Sequence, residues 1–259
     1  MSEHQLAGLF SLKGKTALIT GSTRGIGFAL ARGLGQAGAR VLINGRTADN
    51  VQVVVDELNS QSIAAAALTA DVTKQDEITA QIDDYEANTG LIDILINNAG
   101  MQHRQPLERF DAEIFDRMIA VNLKAAFYTA KALSTYMIAR QHGRIINIAS
   151  VMSLLARPGV APYTATKGAI ANLTKGMAAD WAGYGLNCNA IAPGYFKTEL
   201  NAALVADQKF TAWLEERTPA GRWGDVSDLV GTAVYLAAPA SSFVNGQIIY
   251  VDGGLTATV

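Results

Sequence analysis

In the run Tyr163-Thr164-Ala165-Thr166-Lys167, a phenol and an amine stand four positions apart. On a helix that spacing places both side chains on one face, one turn apart. A free tyrosine ionises at about pH 10, too high for an efficient base at neutral pH. A neighbouring ammonium favours the phenolate and is expected to lower the pKa of Tyr163. Such a pair can take the proton of an alcohol or return it to a ketone. Ser150 closes the apolar run Arg144–Ser150, where its hydroxyl can hold the substrate oxygen while Tyr163 moves the proton. By itself, Tyr-x-x-x-Lys is equally an ordinary pair on a helix surface. Its weight comes from the motifs around it.

The strongest of these is Thr20-Gly21-Ser22-Thr23-Arg24-Gly25-Ile26-Gly27, which follows an apolar run and opens a helical stretch. Glycines let backbone N–H groups approach a pyrophosphate, and the positive end of the helix faces that charge. The spacing departs from G-x-G-x-x-G, but its place after a strand and before a helix is that of a dinucleotide site. Gly21, Ser22, Thr23, Arg24, Gly25, Ile26 and Gly27 are therefore cofactor-binding candidates. An oxidised nicotinamide held here would add a second positive charge to favour the Tyr163 phenolate.

The second apolar run ends Asn44-Gly45-Arg46-Thr47, without the acid that usually holds the ribose 2′-hydroxyl of NAD. A guanidinium at Arg46 can fork onto a 2′-phosphate, and Arg24 supplies a second cation on the same side. Solvated surface arginines are the competing reading. The expected cofactor is NADP(H), with NAD(H) as a secondary possibility. Asp71 and Val72 follow the third run and can meet the adenine, although Asp71 reads equally well as a helix N-cap. Asn97-Asn98-Ala99-Gly100 ends the fourth run. Asparagine amides there need partners, either backbone or cofactor.

These residues need a scaffold, and the chain alternates in a way that supplies one. Strand candidates are Thr16–Thr20, Arg40–Asn44, Ala64–Ala70, Ile94–Asn97, Arg144–Ser150, Asn187–Ala192 and Ile248–Val251. Helical spacing occupies roughly Gly25–Ala37, Ala48–Ser60, Gln75–Thr89, Asp111–Arg140, Tyr163–Ala182, Glu199–Arg217 and Val226–Ala237. Strands apolar throughout imply a sheet covered on both faces. Repeated β-α-β units imply a parallel, doubly wound α/β sheet with right-handed crossovers. No linker or repeat divides residues 1–259, so a single domain is expected. Residues 193–224 break the rhythm and read as an insertion over the active site.

The 259 residues carry a formal net charge of −2, with 49% hydrophobic and 17% charged residues. That composition is ample for a core, and it provides no global basic field for nucleic acid or anionic membrane. One cysteine, Cys188, forbids an intramolecular disulfide and reads as a small buried residue. The start Met1-Ser2-Glu3-His4-Gln5 lacks a leader pattern, and no apolar run is of membrane-spanning length. A cytoplasmic protein is expected. His4, His103 and His142 lack metal-ligand spacing, so no metal site is expected.

Taken together, Thr20–Gly27, Asn97–Gly100, Ser150, Tyr163, Lys167 and Pro193-Gly194 resemble the short-chain dehydrogenase/reductase family. The resemblance runs the length of the chain in order. It implies one Rossmann-like domain of about seven parallel strands and hydride transfer between a nicotinamide and a carbonyl or alcohol carbon. It also implies a fourth catalytic residue at Asn122, which helps hold a water for proton relay beside the lysine. Lys167 is implied to bind the nicotinamide ribose, with Thr198 near the carboxamide and Pro193 and Gly194 among the cofactor contacts. The Val251-Asp252-Gly253-Gly254 end resembles the family's C-terminal strand, which implies a homotetramer.

Finer stretches resemble the gluconate 5-dehydrogenase branch, which acts on a sugar acid. They are Ile191–Glu199, Phe210–Leu214, Arg217–Asp225 and Phe243–Gly246. A sugar acid needs a cation for its carboxylate and polar groups for its hydroxyls. Arg104 is the first candidate for the carboxylate, set against a solvated loop arginine. Arg157, Tyr195 and Lys197 are further candidates, and Ser150 and Tyr163 would meet the reacting oxygen. Phe210-Thr211-Ala212-Trp213-Leu214 reads either as a cover over the substrate or as a helix packed into the core or a partner. A 3-oxoacyl thioester reductase would use the same Ser150, Tyr163 and Lys167 in a more apolar channel. A nucleotide-binding sensor without turnover is disfavoured because all four catalytic positions are filled.

Overall fold

A computed structural model describes residues 3–259. Met1 and Ser2, where the search for a leader began, lie outside the described residues. Seven parallel strands form one sheet, β1 (Thr16–Ile19), β2 (Arg40–Gly45), β3 (Ala65–Thr69), β4 (Ile94–Asn97), β5 (Gly143–Ile148), β6 (Leu186–Pro193) and β7 (Ile248–Val251). Their spatial order is β3-β2-β1-β4-β5-β6-β7. The winding reverses between β1 and β4, so the crevice for a ligand opens at the carboxyl ends of these strands.

The sheet separates two apolar layers, and the residues of each strand divide between them. Ile19, Ile43, Ile96 and Ile146 face a layer built with Leu30, Leu34, Val54, Leu58, Ala233 and Leu236. Their neighbours Leu18, Leu42, Leu95 and Ile145 face Ile78, Ile82, Leu133, Met137 and Met177. The period of two along each central strand thus serves two cores, while the edge strands β3 and β7 are only partly covered. The first layer is supplied by α2 (Gly25–Gln36), α3 (Ala48–Ser60) and α10 (Val230–Ala237), the second by α4 (Gln75–Asn88), α6 (Ala125–Ala139) and α7 (Ala161–Trp181). A short helix α1 (Glu3–Leu9) precedes β1 and had no counterpart in the sequence reading.

Three expected elements differ in ways that bear on the site. The continuous helix over Asp111–Arg140 is instead α5 (Ala112–Ile119), a π-turn at Ala120–Lys124 and then α6. Glu199–Arg217 breaks into a 3₁₀ turn (Glu199–Asn201), α8 (Ala202–Ala206) and α9 (Gln208–Arg217). The break falls at Asp207, whose carboxylate accepts from the N–H groups of Lys209 at 2.9 Å and Phe210 at 3.1 Å. An N-cap of this kind starts a new helix rather than continuing an old one. Strand β5 stops at Ile148, which leaves Ser150 just beyond it as the cap of a 3₁₀ turn over Val151–Ser153.

Candidate active site

The crevice encloses about 720 Å³ and is lined by the glycine turn, Asn98–Gly100, Ser150, Tyr163, Lys167 and the start of the insertion. Gly21 and Gly25 hold φ of 60° and 57°, a region that disfavours side chains. A Cβ on Gly27 would lie 2.5 Å from the Asn98 amide and the Gly21 carbonyl. The turn is therefore packed against the end of β4 at van der Waals distance. No side chain among the described residues caps the N-terminus of α2. Its first N–H groups thus suit an anionic ligand, and a dinucleotide pyrophosphate fits this cradle.

Other polar groups here hold the turn in shape. Ser22, expected among the cofactor contacts, is fully buried and does not line the crevice. Its hydroxyl donates to the Ile19 carbonyl at 2.8 Å, and its N–H donates to the Asn44 carbonyl at 3.0 Å. Asn44, which the sequence reading passed over, accepts from the Gly21 N–H at 3.2 Å and donates to the Leu68 and Ala70 carbonyls. It ties the turn to the end of β3. Asn98 donates to the carbonyls of Thr20 and Gly21 at 2.9 and 3.1 Å, so its amide is spent on the backbone. Asp71 accepts from the Thr73 N–H and hydroxyl at 3.0 and 2.7 Å, a turn-capping role, while still lining the crevice with Val72. Burial pushes its carboxyl up, but the Thr73 bonds and the Arg46 charge outweigh that and hold it below the usual range. Arg46 lines the crevice close by.

The catalytic wall is more deeply set. Lys167 is 5% exposed, and its Nζ donates to the Ile148 carbonyl at 2.6 Å. The same atom lies 5.7 Å from the centre of the Tyr163 ring. Burial lowers the Lys167 pKa to about 8. The Tyr163 phenol moves the other way. Burial raises it, more than its contact with the Ser150 hydroxyl and the Arg104 charge lower it. Without the cofactor, desolvation of the phenolate outweighs the charges of the chain, and the lowering expected from the lysine and an oxidised nicotinamide together concerns the cofactor-bound state. Ser150 accepts from the Met152 N–H at 3.1 Å, which fixes its side chain at the mouth of β5.

Asn122 sits in the π-turn and is 2% exposed. Its side chain accepts from the Met101 N–H at 2.7 Å and donates to the Met101 carbonyl at 2.9 Å and to Thr166 Oγ1 at 3.1 Å. It does not line the crevice. It joins the loop after β4 to the helix that carries Tyr163 and Lys167. A π-turn re-aims one residue out of a regular helix and is typical of functional positions.

Opposite this wall lies the segment after β6. Tyr195 meets Phe210, Trp213 and Trp223 edge-on, with ring centres 5.4, 6.4 and 6.0 Å apart. Leu214 is buried and Trp213 is half-exposed, so Phe210–Leu214 packs into the aromatic cluster of the 193–224 segment itself. Arg157 donates to the Tyr195 hydroxyl at 3.3 Å and lies 5.0 Å above the Phe210 ring. Arg104 donates to Gln102 at 2.9 Å and Asn201 at 3.2 Å. Its buried Nε has no hydrogen-bond partner among the described residues. Burial and the Arg157 charge both lower the Arg104 pKa, the mark of a cation set beside another. Lys197 is exposed and outside the crevice, which sets aside that candidate. Pro193, Gly194 and Thr198 line it as expected, together with Arg117 and Glu199, which the sequence reading did not single out. Cys188 is buried within the second core layer, and burial pushes its thiol up to about 12, so it is inert.

Comparison with known proteins agrees with this geometry. The family described as enoyl-(acyl carrier protein) reductase matches residues 21–256. A gluconate 5-dehydrogenase of Gluconobacter oxydans is 52% identical over 251 residues, 97% of this chain and 98% of that protein. A 5-keto-D-gluconate 5-reductase of Escherichia coli K12 is 48% identical over 97% of this chain and 99% of that one. The crystal structure of a gluconate 5-dehydrogenase from Burkholderia cenocepacia, in complex with NADP and tartrate, superposes with a TM-score of 0.97 at 53% identity. It covers 98% of this chain and 100% of that one. With the glycine turn, the strand-end serine and the Tyr163–Lys167 pair on one crevice, the chain belongs to the short-chain dehydrogenase/reductase family.

Proposed function

We propose that this chain is an NADP(H)-dependent oxidoreductase that interconverts D-gluconate and 5-keto-D-gluconate. The observation that carries the substrate class is Arg104, a partly buried cation that lines the crevice beside Arg157. A carboxylate bound at this guanidinium offsets the two adjacent cations. Sugar-acid activity in relatives about half identical to this chain supports the same reading. An apolar thioester would leave that guanidinium unmatched.

NADP(H) supplies the chemistry of accepting or returning a hydride at C5. The residues of the chain do the rest. Ser150 holds the C5 oxygen. Tyr163 takes the hydroxyl proton in oxidation and returns it to the ketone in reduction. At rest burial keeps the phenol protonated, the form needed for ketone reduction. Lys167, anchored at Ile148, holds its ammonium beneath the phenol. Asn122 keeps that helix and the loop after β4 in register. The glycine turn takes the pyrophosphate, and Arg46 and Arg24 take the 2′-phosphate. Arg104 takes the substrate carboxylate, Arg157 and Tyr195 line its path, and the insertion at 193–224 covers it.

A homotetramer is part of the same proposal. The last strand of the sheet, β7, keeps its apolar residues only half-buried, and Phe243 nearby is fully exposed. No helix among the described residues is long and apolar enough to cross a membrane. The cytoplasm, where NADP(H) is held, is the proposed compartment.

The test is product identity. Purified protein with NADP and D-gluconate should yield a 5-keto acid, identified by carbon NMR. No reaction with gluconate, together with NADPH consumption on an acetoacetyl thioester, would overturn the substrate and leave the catalytic residues in place.

A further inference from the structure

Arg24 and Glu199 are 175 residues apart in sequence, yet Arg24 Nη1 and Glu199 Oε2 lie 2.9 Å apart. The first belongs to the glycine turn and the second to the opening turn of the lid, and both line the crevice. Their side chains are 75% and 67% exposed, so the contact is a bridge across the mouth and not a buried strut. Glu199 is one of two acids among the residues lining this crevice, the other being Asp71, against six basic side chains. It sits on a cation placed to receive the phosphate that distinguishes the two nicotinamide cofactors.

We propose that Glu199 is a determinant of coenzyme selectivity, a carboxylate of the lid that competes with the 2′-phosphate of NADP for Arg24. This rests on the reading of Arg24 as a 2′-phosphate contact. A phosphate drawn to Arg24 meets a carboxylate already on the same guanidinium, and the two anions repel. NAD carries no 2′-phosphate and leaves the bridge intact. Glu199 therefore disfavours NADP relative to NAD, and the arginines set the preference against that bias. The bridge also fastens the lid to the cofactor turn, so arrival of NADP loosens a contact that NAD leaves closed. Both partners are exposed, so the effect is modest, about threefold in affinity.

The experiment measures Kd for NADP, NAD, adenosine 2′,5′-bisphosphate and adenosine 5′-monophosphate by calorimetry. The proteins are the wild type, Glu199→Gln, Arg24→Gln and the double variant. Glu199→Gln should tighten NADP and the bisphosphate by about threefold, with NAD and the monophosphate unchanged. In the Arg24→Gln background the same substitution should change nothing. Equal shifts for NADP and NAD, weaker NADP binding, or tightening that survives the loss of Arg24 would each overturn the proposal. If Arg24→Gln alone weakens NADP no more than NAD, the underlying assignment of Arg24 fails, and this is visible apart from Glu199.

Discussion

The catalytic wall and the segment 193–224, the proposed lid, face each other across one crevice and are held by different kinds of contact. On the wall, Lys167, Asn122 and Ser150 are almost wholly buried, and each is tied to backbone atoms, Lys167 and Asn122 to those of neighbouring elements and Ser150 to the turn it caps. On the lid, Tyr195, Phe210 and Trp213 pack on one another, and the ties across the mouth are side chain to side chain, while backbone bonds from Gly194 to Val251 and from Ala220 to Gly253 fasten its base. Backbone partners are positioned by the sheet, so the wall is as rigid as the fold. Side-chain partners at the mouth are exchangeable for ligand atoms. A reaction with fixed proton geometry and a changing occupant needs both kinds.

If that contrast holds, a change on the wall should strike turnover and one on the lid side should strike binding. Tyr163→Phe should lower kcat by roughly 10²–10⁴-fold, while NADPH binding, read by fluorescence titration, stays as in the wild type. Retained turnover would remove Tyr163 as the proton carrier. Arg104→Ala should raise the KM for gluconate by roughly 10–100-fold through loss of a charged hydrogen-bonding partner, with the Kd for NADP unchanged. An unchanged gluconate KM would move the carboxylate elsewhere. Arg46→Ala should raise the KM for NADP about tenfold more than that for NAD. Equal changes would show that Arg46 does not read the 2′-phosphate.

The wall should also show itself in stability. Burial lowers the Lys167 pKa from its ordinary value of 10.5 to about 8. Between those two values the unfolded chain binds more protons than the folded one, so stability rises with pH there. Compared with Lys167→Met, the wild type should gain up to about 3 kcal/mol as pH climbs from 8 to 10.5. Urea melts of both proteins across that range check the sign. A flat difference would mean that Lys167 keeps its ordinary pKa in the folded chain.

The wall was largely legible in the sequence and the mouth was not, for the same reason. Tyr163 and Lys167 are one helical turn apart, and the glycine turn is one continuous segment, so local spacing carries them. The seven strands were legible because each carries a short, mostly apolar run that alternates with longer helical stretches. The π-turn at Asn122 was invisible, since widening one turn hardly disturbs the apolar pattern of a long helix. Asp207 was read as an interior helical residue, though its type and place suit an N-cap. Arg24–Glu199 and Arg104–Asn201 join positions 175 and 97 residues apart, and no local pattern marks them. Ser22 shows what a motif leaves open, because its place in the glycine turn does not reveal that its hydroxyl closes the turn on itself.

The most direct test of the central claim follows absorbance of reduced nicotinamide with purified protein, D-gluconate and either NADP or NAD. A gluconate-dependent rise, larger with NADP and abolished in Tyr163→Phe, is the expected result. No rise with either cofactor, or one that survives Tyr163→Phe, would contradict the account.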